Sequence, residues 1–232
     1  MKNIILLISV LFSVTSFAQE KFPEYKLGQG AHYSMMVDGQ PAQVKMAFVK
    51  RTDDLLVVEM DMTMTAGEVG MPIHMVQQFH LTMEAGKIKI AKGFMKIPNI
   101  PKPQRLPPEF LKGYDGAQMK SFLVGSQGEI DSMKVGKEKV PTTEGVFDST
   151  HYRRTSNGQT VEFWVTEDPK LKPLSIVQMK SKGSKREHNY TLRLKGLVKG
   201  YKSQINPDDS EPLNAMGRMF LPMLTNSSMF LN

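Results

Sequence analysis

The stretch Leu56-Val57-Val58-Glu59-Met60-Asp61-Met62-Thr63-Met64 decides the fold class. Leu56, Val58, Met60, Met62 and Met64 occupy every second position, with Val57, Glu59, Asp61 and Thr63 between them. A period of two is that of a β-strand, whose successive side chains point to opposite faces; this segment reads as a half-buried strand with one apolar face. The same pattern continues on both sides. Tyr33, Met35 and Val37 alternate up to Asp38-Gly39, a hairpin dipeptide, and Val44, Met46 and Phe48 carry the return strand. Arg51-Thr52-Asp53-Asp54 supplies the next turn, so three antiparallel strands are readable before residue 66.

Beyond Gly67 and Gly70, Ile73, Met75, Phe79, Leu81 and Met83 alternate again, and Glu84-Ala85-Gly86-Lys87 turns the chain toward Ile88 and Ile90. The meander resumes with Val146 to Tyr152. Val161, Phe163 and Val165 follow the turn Ser156-Asn157-Gly158, and segments at Ile176 to Met179 and Tyr190 to Leu194 complete it. Strands at this spacing predict a mainly β protein: a curved antiparallel meander forming an open or half-closed barrel.

Two regions depart from the period. Residues 96–115 hold Pro98, Pro101, Pro103, Pro107 and Pro108 with Lys96, Lys102 and Arg105. Proline at that density lacks the N–H groups a sheet interior needs, so the segment reads as an extended central loop between two meanders of one sheet, with a helical turn at Glu109 to Lys112. From Asp209 the spacing becomes helical: Leu213, Met216, Phe220, Met223 and Leu224 recur behind Ser210 as N-cap, and Pro222 bends or ends that helix. The expected division is therefore 1–18 as signal peptide, 19–205 as the β domain and 206–232 as a C-terminal helical, apolar tail, a core cover or a lid.

The leader expectation rests on Lys2, the apolar run Ile4 to Phe12 and the small residues of Ser16-Phe17-Ala18, which place a cut before Gln19. The run is shorter than the ~20 residues of a membrane-spanning helix. It implies export to the periplasm, without a lipid anchor because no cysteine follows it. Cysteine is absent altogether, which excludes disulfides, thiol catalysis and thiolate metal sites. A net charge of +7 favours anionic surfaces, including peripheral contact with lipid headgroups. The aromatic-plus-basic strand motif of RNA binders is missing, and nucleic acid is not an expected partner.

Methionine is the count that bears on function: 18 residues, one of them the initiator. Thioether side chains are flexible and polarizable and adapt to variable apolar shapes. Met35, Met46, Phe48, Met60, Met62, Met64 and Phe79, with the single tryptophan Trp164, are the candidate ligand-binding residues. A core that uses methionine as filler is the simpler reading of the same positions. Met60-Asp61-Met62-Thr63-Met64 also has the Met-x-Met-x-Met form that soft copper(I) can use, although a flat strand separates alternate Cα atoms by ~6.8 Å. The histidines His32, His74, His80, His151 and His188 form no zinc signature, and no nucleophile elbow or phosphate loop occurs. Glu59 with Asp61 reads as a solvated carboxylate pair. No catalytic residue, metal site or cofactor is assigned.

Three segments carry a resemblance. Thr150-His151-Tyr152-Arg153, Val161-Glu162-Phe163-Trp164-Val165-Thr166 and Pro173-Leu174-Ser175-Ile176-Val177-Gln178-Met179-Lys180-Ser181-Lys182 resemble the C-terminal half of uncharacterised exported bacterial proteins. Gly30-Ala31-His32-Tyr33 followed by Asp38-Gly39-Gln40-Pro41 is similar to the opening of the same group. These are associated with the periplasmic lipoprotein-carrier (LolA/LolB-like) superfamily. The resemblance implies a half-open antiparallel barrel around an apolar cavity, with helices as plug or lid, that carries acyl chains through the periplasm. The proline-rich loop departs from that pattern, and no acyl-binding residue is transferred.

The leading expectation is a monomeric, non-enzymatic periplasmic binder of a lipid, acyl chain or other apolar ligand on the concave face of the sheet. The alternatives are an envelope scaffold that meets a protein partner through the proline-rich loop, and a methionine-based copper(I) binder.

Overall fold

The computed structural model describes residues 22, 26–37, 39–66, 71–84, 87–115, 132–156, 158–171, 174–183 and 189–218. The proposed leader, His188 and the tail beyond residue 218 lie outside them.

Twelve strands among the described residues form one sheet that is not closed. They are β1 (Gly30–Val37), β2 (Gln40–Arg51), β3 (Leu55–Ala66), β4 (Met71–Glu84), β5 (Lys87–Lys96), β6 (Gln104–Arg105), β7 (Lys134–Thr142), β8 (Gly145–Ser156), β9 (Gln159–Thr166), β10 (Ile176–Lys182), β11 (Tyr190–Val198) and β12 (Glu211–Pro212). Their spatial order is β12-β6-β5-β4-β3-β2-β1-β11-β10-β9-β8-β7, antiparallel throughout except for β12 on β6. Two meanders thus run outward from a shared seam. β1 to β6 form one side, β7 to β11 the other, and β1 pairs with β11 from Gly30↔Val198 to Val37↔Tyr190. The expected single curved antiparallel sheet is the observed architecture.

The hairpins fall where the turn chemistry places them. Val37 pairs with Gln40 across Asp38-Gly39, with Gly39 at φ +79°, and Ser156 pairs with Gln159 across Asn157-Gly158, with Gly158 at φ +72°. Positive φ at the second turn residue suits the twist of the flanking strands and needs no Cβ there. At the β7–β8 turn the sheet curls back on itself. The hydroxyl of Thr143 donates to Lys195 O, and Leu197 N donates to Glu144 Oε1 at 3.3 Å.

The middle segment is more ordered than its prolines suggest. It contains β6 and helix α1 (Pro108–Asp115), which follows Pro107 and has Pro108 as its first residue, a position where proline is tolerated. Leu106 and Leu111 press onto β5 at Gly93, where an added Cβ would sit 2.9 Å from each. The tail also differs from expectation. Glu211 and Pro212 extend β12 along β6, and the helical turn starts only at residue 215, capped by Asn214 Oδ1 accepting from Gly217 N at 2.8 Å. The Gln104 amide oxygen accepts from Asn214 N at 2.9 Å and holds this end to the sheet. A strand could form at Glu211 because the β6 edge was unpaired, a tertiary fact that helical periodicity does not carry.

β1 meets β2 with no room to spare. A Cβ on Gly30 would run into the carbonyl of Met46, which is backbone and cannot rotate away. Gly30→Ala is therefore expected to lower stability by about 2–3 kcal/mol, read as a reduced urea midpoint with an unchanged m-value.

Candidate functional site

Strand register turns the alternation into rows that cross the sheet. One runs Phe163–Met179–Leu192–Met35–Ala42–Met64–Ile73, each neighbour a direct cross-strand partner. The next runs Leu194–Tyr33–Val44–Met62–Met75, then Leu197–Ala31–Met46–Met60–Gln77–Met95, then Phe48–Val58–Phe79–Gly93. Directly opposed side chains lie on the same face, so all four rows share one face. Eight methionines on it are buried, namely Met35, Met46, Met60, Met62, Met64, Met75, Met95 and Met179.

Seven of the eight residues expected from sequence come together here: Met35, Met46, Phe48, Met60, Met62, Met64 and Phe79. Met75, Met95 and Met179 belong with them. Their signal was legible for Met75 and Met179 as alternation, whereas a bulge at His80/Leu81 shifts the register of β5 and hides Met95. Leu106 and Leu111 cover the β5 end of this face. Burial falls toward the other end: Met46 and Met60 are fully enclosed, whereas Met64 is 8% exposed and Ile73 is only partly buried.

Trp164 sits on the opposite side of β9 from Phe163. Its ring stacks on His151 at 4.2 Å between centroids, Lys180 Nζ lies 5.1 Å from the ring centre, and its indole N–H donates to Glu138 Oε2 at 2.7 Å. That hydrogen bond, followed by contacts from His151 and Lys180, holds the Glu138 carboxyl below the usual range despite some desolvation. His151 Nδ1 also contacts Glu138, at 2.8 Å, and Nε2 faces Glu162 at 3.2 Å without hydrogen-bond alignment. Arg153 pairs with that same Glu162. Trp164 is thus enclosed by a charged cluster, apart from the methionine rows.

The second face has its own cover, which sequence reasoning missed. After β11 the chain crosses the back of β3, β4 and β5 as a strap over 199–210. Glu59, expected to be solvated, is fully buried beneath it. Tyr201 OH and Gln204 N donate to its Oε1 at 3.0 and 2.7 Å, and Gln78 Nε2 and Ser203 Oγ reach its Oε2 at 2.9 and 2.6 Å. Burial, then the neighbouring Glu59, push the Tyr201 phenol well above its ordinary range, so it stays a donor. Asp61 receives His74 at 2.8 Å and Gln204 Nε2 at 3.0 Å. Ile205 packs with Val76 and Phe94, closing a small apolar cluster on this face. The polar letters of the strap gave no sign of a buried role.

Lys102 and Arg105, the cations offered to an external partner by the loop reading, are both engaged within the chain. Lys102 pairs with Glu211 at 2.7 Å, and Arg105 contacts Ser210 at 3.4 Å. Among the described residues no group of three or more His, Asp or Glu side chains is placed to hold a metal ion, and no helix is long and apolar enough to cross a membrane.

No protein-family model matches the sequence, and no curated protein matches it. Solved structures similar in fold include MucB, at 10% identity and TM-score 0.38, with the alignment covering 90% of this chain and 62% of MucB. This chain therefore spans less than two thirds of that protein. An exported protein of Bacteroides fragilis with a YmcC-like fold aligns at 13% identity and TM-score 0.33, over 78% of this chain and all of that one. A domain from Vibrio parahaemolyticus described as outer-membrane lipoprotein-sorting aligns at 8% identity and TM-score 0.34, over 78% and 88% of the two chains. At these values the functional reading rests on the chain's own geometry.

The Glu59 clasp yields a direct test. Glu59→Ala leaves four donors facing a void and is expected to cost about 3 kcal/mol, with new proteolytic cleavage confined to 199–210. An unchanged cleavage pattern would mean that the strap is held by other contacts.

Proposed function

We propose that this chain is an exported, non-enzymatic binder of an apolar ligand, a lipid or acyl chain, received against the methionine face of its sheet. The observation that carries the reading is the concentration of eight buried methionines in adjoining cross-strand rows. A core that needed only to be filled is served by Leu, Ile and Val, whose rotamers are better defined. Methionine has three rotatable bonds and repacks around guests of different shape at small cost. Entry is assigned to the Met64–Ile73 end, where burial is least, since the opposite end is closed by Leu106 and Leu111. The leader-like character of the first 18 residues supports a periplasmic setting for this activity.

The test is native mass spectrometry of protein recovered from a bacterial periplasm without detergent, followed by lipid extraction and titration with a fluorescent fatty acid. Reproducible co-purifying lipid and saturable uptake of the probe are expected. Met64→Trp, which fills the entry with apolar volume and adds no charge, is expected to weaken probe binding at least tenfold while the circular dichroism spectrum is retained. A clean apo mass with no probe uptake would overturn the reading.

A further inference from the structure

On the face of the sheet opposite the methionines, the strap does not seal the sheet completely. Between strap residues 203–208 and the outer sides of β2 to β6 lies a cavity of about 650 Å³. Its wall brings together Lys50 of β2, Lys92 of β5 and Arg105 of β6, with Asp208 as the one carboxylate in the lining. Val57, Phe94 and Ile205 supply an apolar floor, each no more than 3% exposed. The ion pairs found among the described residues do not include Lys50 or Lys92. Three cations against one carboxylate leave an excess of two positive charges in a partly enclosed space.

His80 stands in the same wall, and the Glu59 clasp fixes its chemistry. Gln78 directs its amide nitrogen at Glu59, Ser203 and Ile205 O, so its amide oxygen faces His80 Nε2 at 2.9 Å. The Nε2 position therefore carries the proton, which leaves Nδ1 as the acceptor of the neutral ring. Burial, then Lys92, then Lys50 lower the pKa of this histidine below its ordinary 6.5. The ring thus senses the positive charge around it.

We propose that this cavity is a binding site for a phosphate monoester, whose two negative charges match the excess of Lys50, Lys92 and Arg105 and whose organic portion rests on Val57, Phe94 and Ile205. A carboxylate would neutralise only half of that excess. Arginine offers the planar donor fork that suits phosphate oxygens, and the two lysines act as point charges. The site goes beyond the proposed apolar-ligand role, on the other face of β3 and β4. A free phosphate ester and the headgroup of phosphatidic acid present the same chemistry here.

The experiment follows the His80 ring by NMR in the exported chain as purified, its signal assigned by loss in His80→Gln. In the unliganded protein Lys92→Gln is expected to raise the His80 titration midpoint, because a repelling charge is removed; this establishes that the ring reports on the cavity. Glycerol phosphate is then expected to raise the wild-type midpoint by about one unit, while chloride at equal ionic strength does not. Lys92→Gln and Arg105→Gln are each expected to weaken that response at least tenfold. Inorganic phosphate and vesicles containing one-fifth phosphatidic acid separate the sources. A shift with the soluble phosphates alone assigns a free solute, and a shift with the vesicles alone assigns a lipid headgroup. A His80 ring that responds to Lys92→Gln yet to none of the phosphate probes would overturn the proposal. Because the readout lies on the other face from Met64, its failure and failure of fatty-acid uptake are separate results.

Discussion

Pairing of β1 with β11 is the constraint on which the rest of the architecture depends. Without it the chain would hold two meanders, β1 to β6 and β7 to β11, each with an apolar face open to water. The seam runs from Gly30↔Val198 to Val37↔Tyr190, with one irregularity at His32/Tyr33, and it aligns the pleats of the two halves. That alignment is what lets Leu192, Met35, Ala42 and Met64 stand in one row. A slip by one residue would turn every apolar side chain of one half to the opposite face. Tyr33 reinforces the seam: its fully buried hydroxyl donates to Ile176 O at 3.1 Å, and burial alone pushes the phenol far above its ordinary range. Such contacts join residues separated by most of the chain, so they carry a large loop-closure cost and are expected to form after the local hairpins.

The seam also determines where the strap goes. β11 ends beside the start of β1, and Tyr201 N donates to Gly28 O at 3.0 Å, which aims the chain across the backs of β3, β4 and β5. The strap contains few apolar residues, so hydrophobic burial does little to hold it. Glu59 holds it through three strap donors, Tyr201, Ser203 and Gln204, and Ile205 adds one apolar anchor. A buried carboxyl without those donors would be strongly destabilising, and the same donors without Glu59 would be unpaired. Clasp and strap are therefore either both formed or both open.

The architecture of strands was legible because period-two alternation reports directly which side of a strand is apolar. It identified β1 to β5 and β8 to β11, and the Asp-Gly and Asn-Gly turns fixed the register of the β1–β2 and β8–β9 hairpins. What it does not report is what covers the other side. Glu59 and Asp61 read as solvated because nothing in a strand's own sequence names the segment that will lie over it. β7 was missed for a related reason. Lys134, Lys137, Glu138 and Lys139 break any apolar period, as is typical of edge strands that discourage further pairing. Trp164 read as a ligand contact from composition, yet its partners His151, Glu138 and Lys180 come from three other strands. The site on the methionine face was readable as a row along one strand; the rows across the sheet required the register.

The two faces therefore differ in physical character as well as in composition. On one, thioether side chains from adjoining strands pack with few polar anchors, chiefly the Tyr33 and Tyr190 hydroxyls and Gln77, so the methionines between them can rearrange as a set. On the other, Glu59, Gln78 and the strap form a network in which each group fixes the next, and Gln78 passes that order to the ring of His80. β4 belongs to both, with Met75, Gln77 and Phe79 on the adaptable side and Val76, Gln78 and His80 on the fixed side. A rigid backing lets the opposite face be soft. Because the clasp fixes the positions of β3 and β4, the methionines can change rotamer without loosening the strands that carry them.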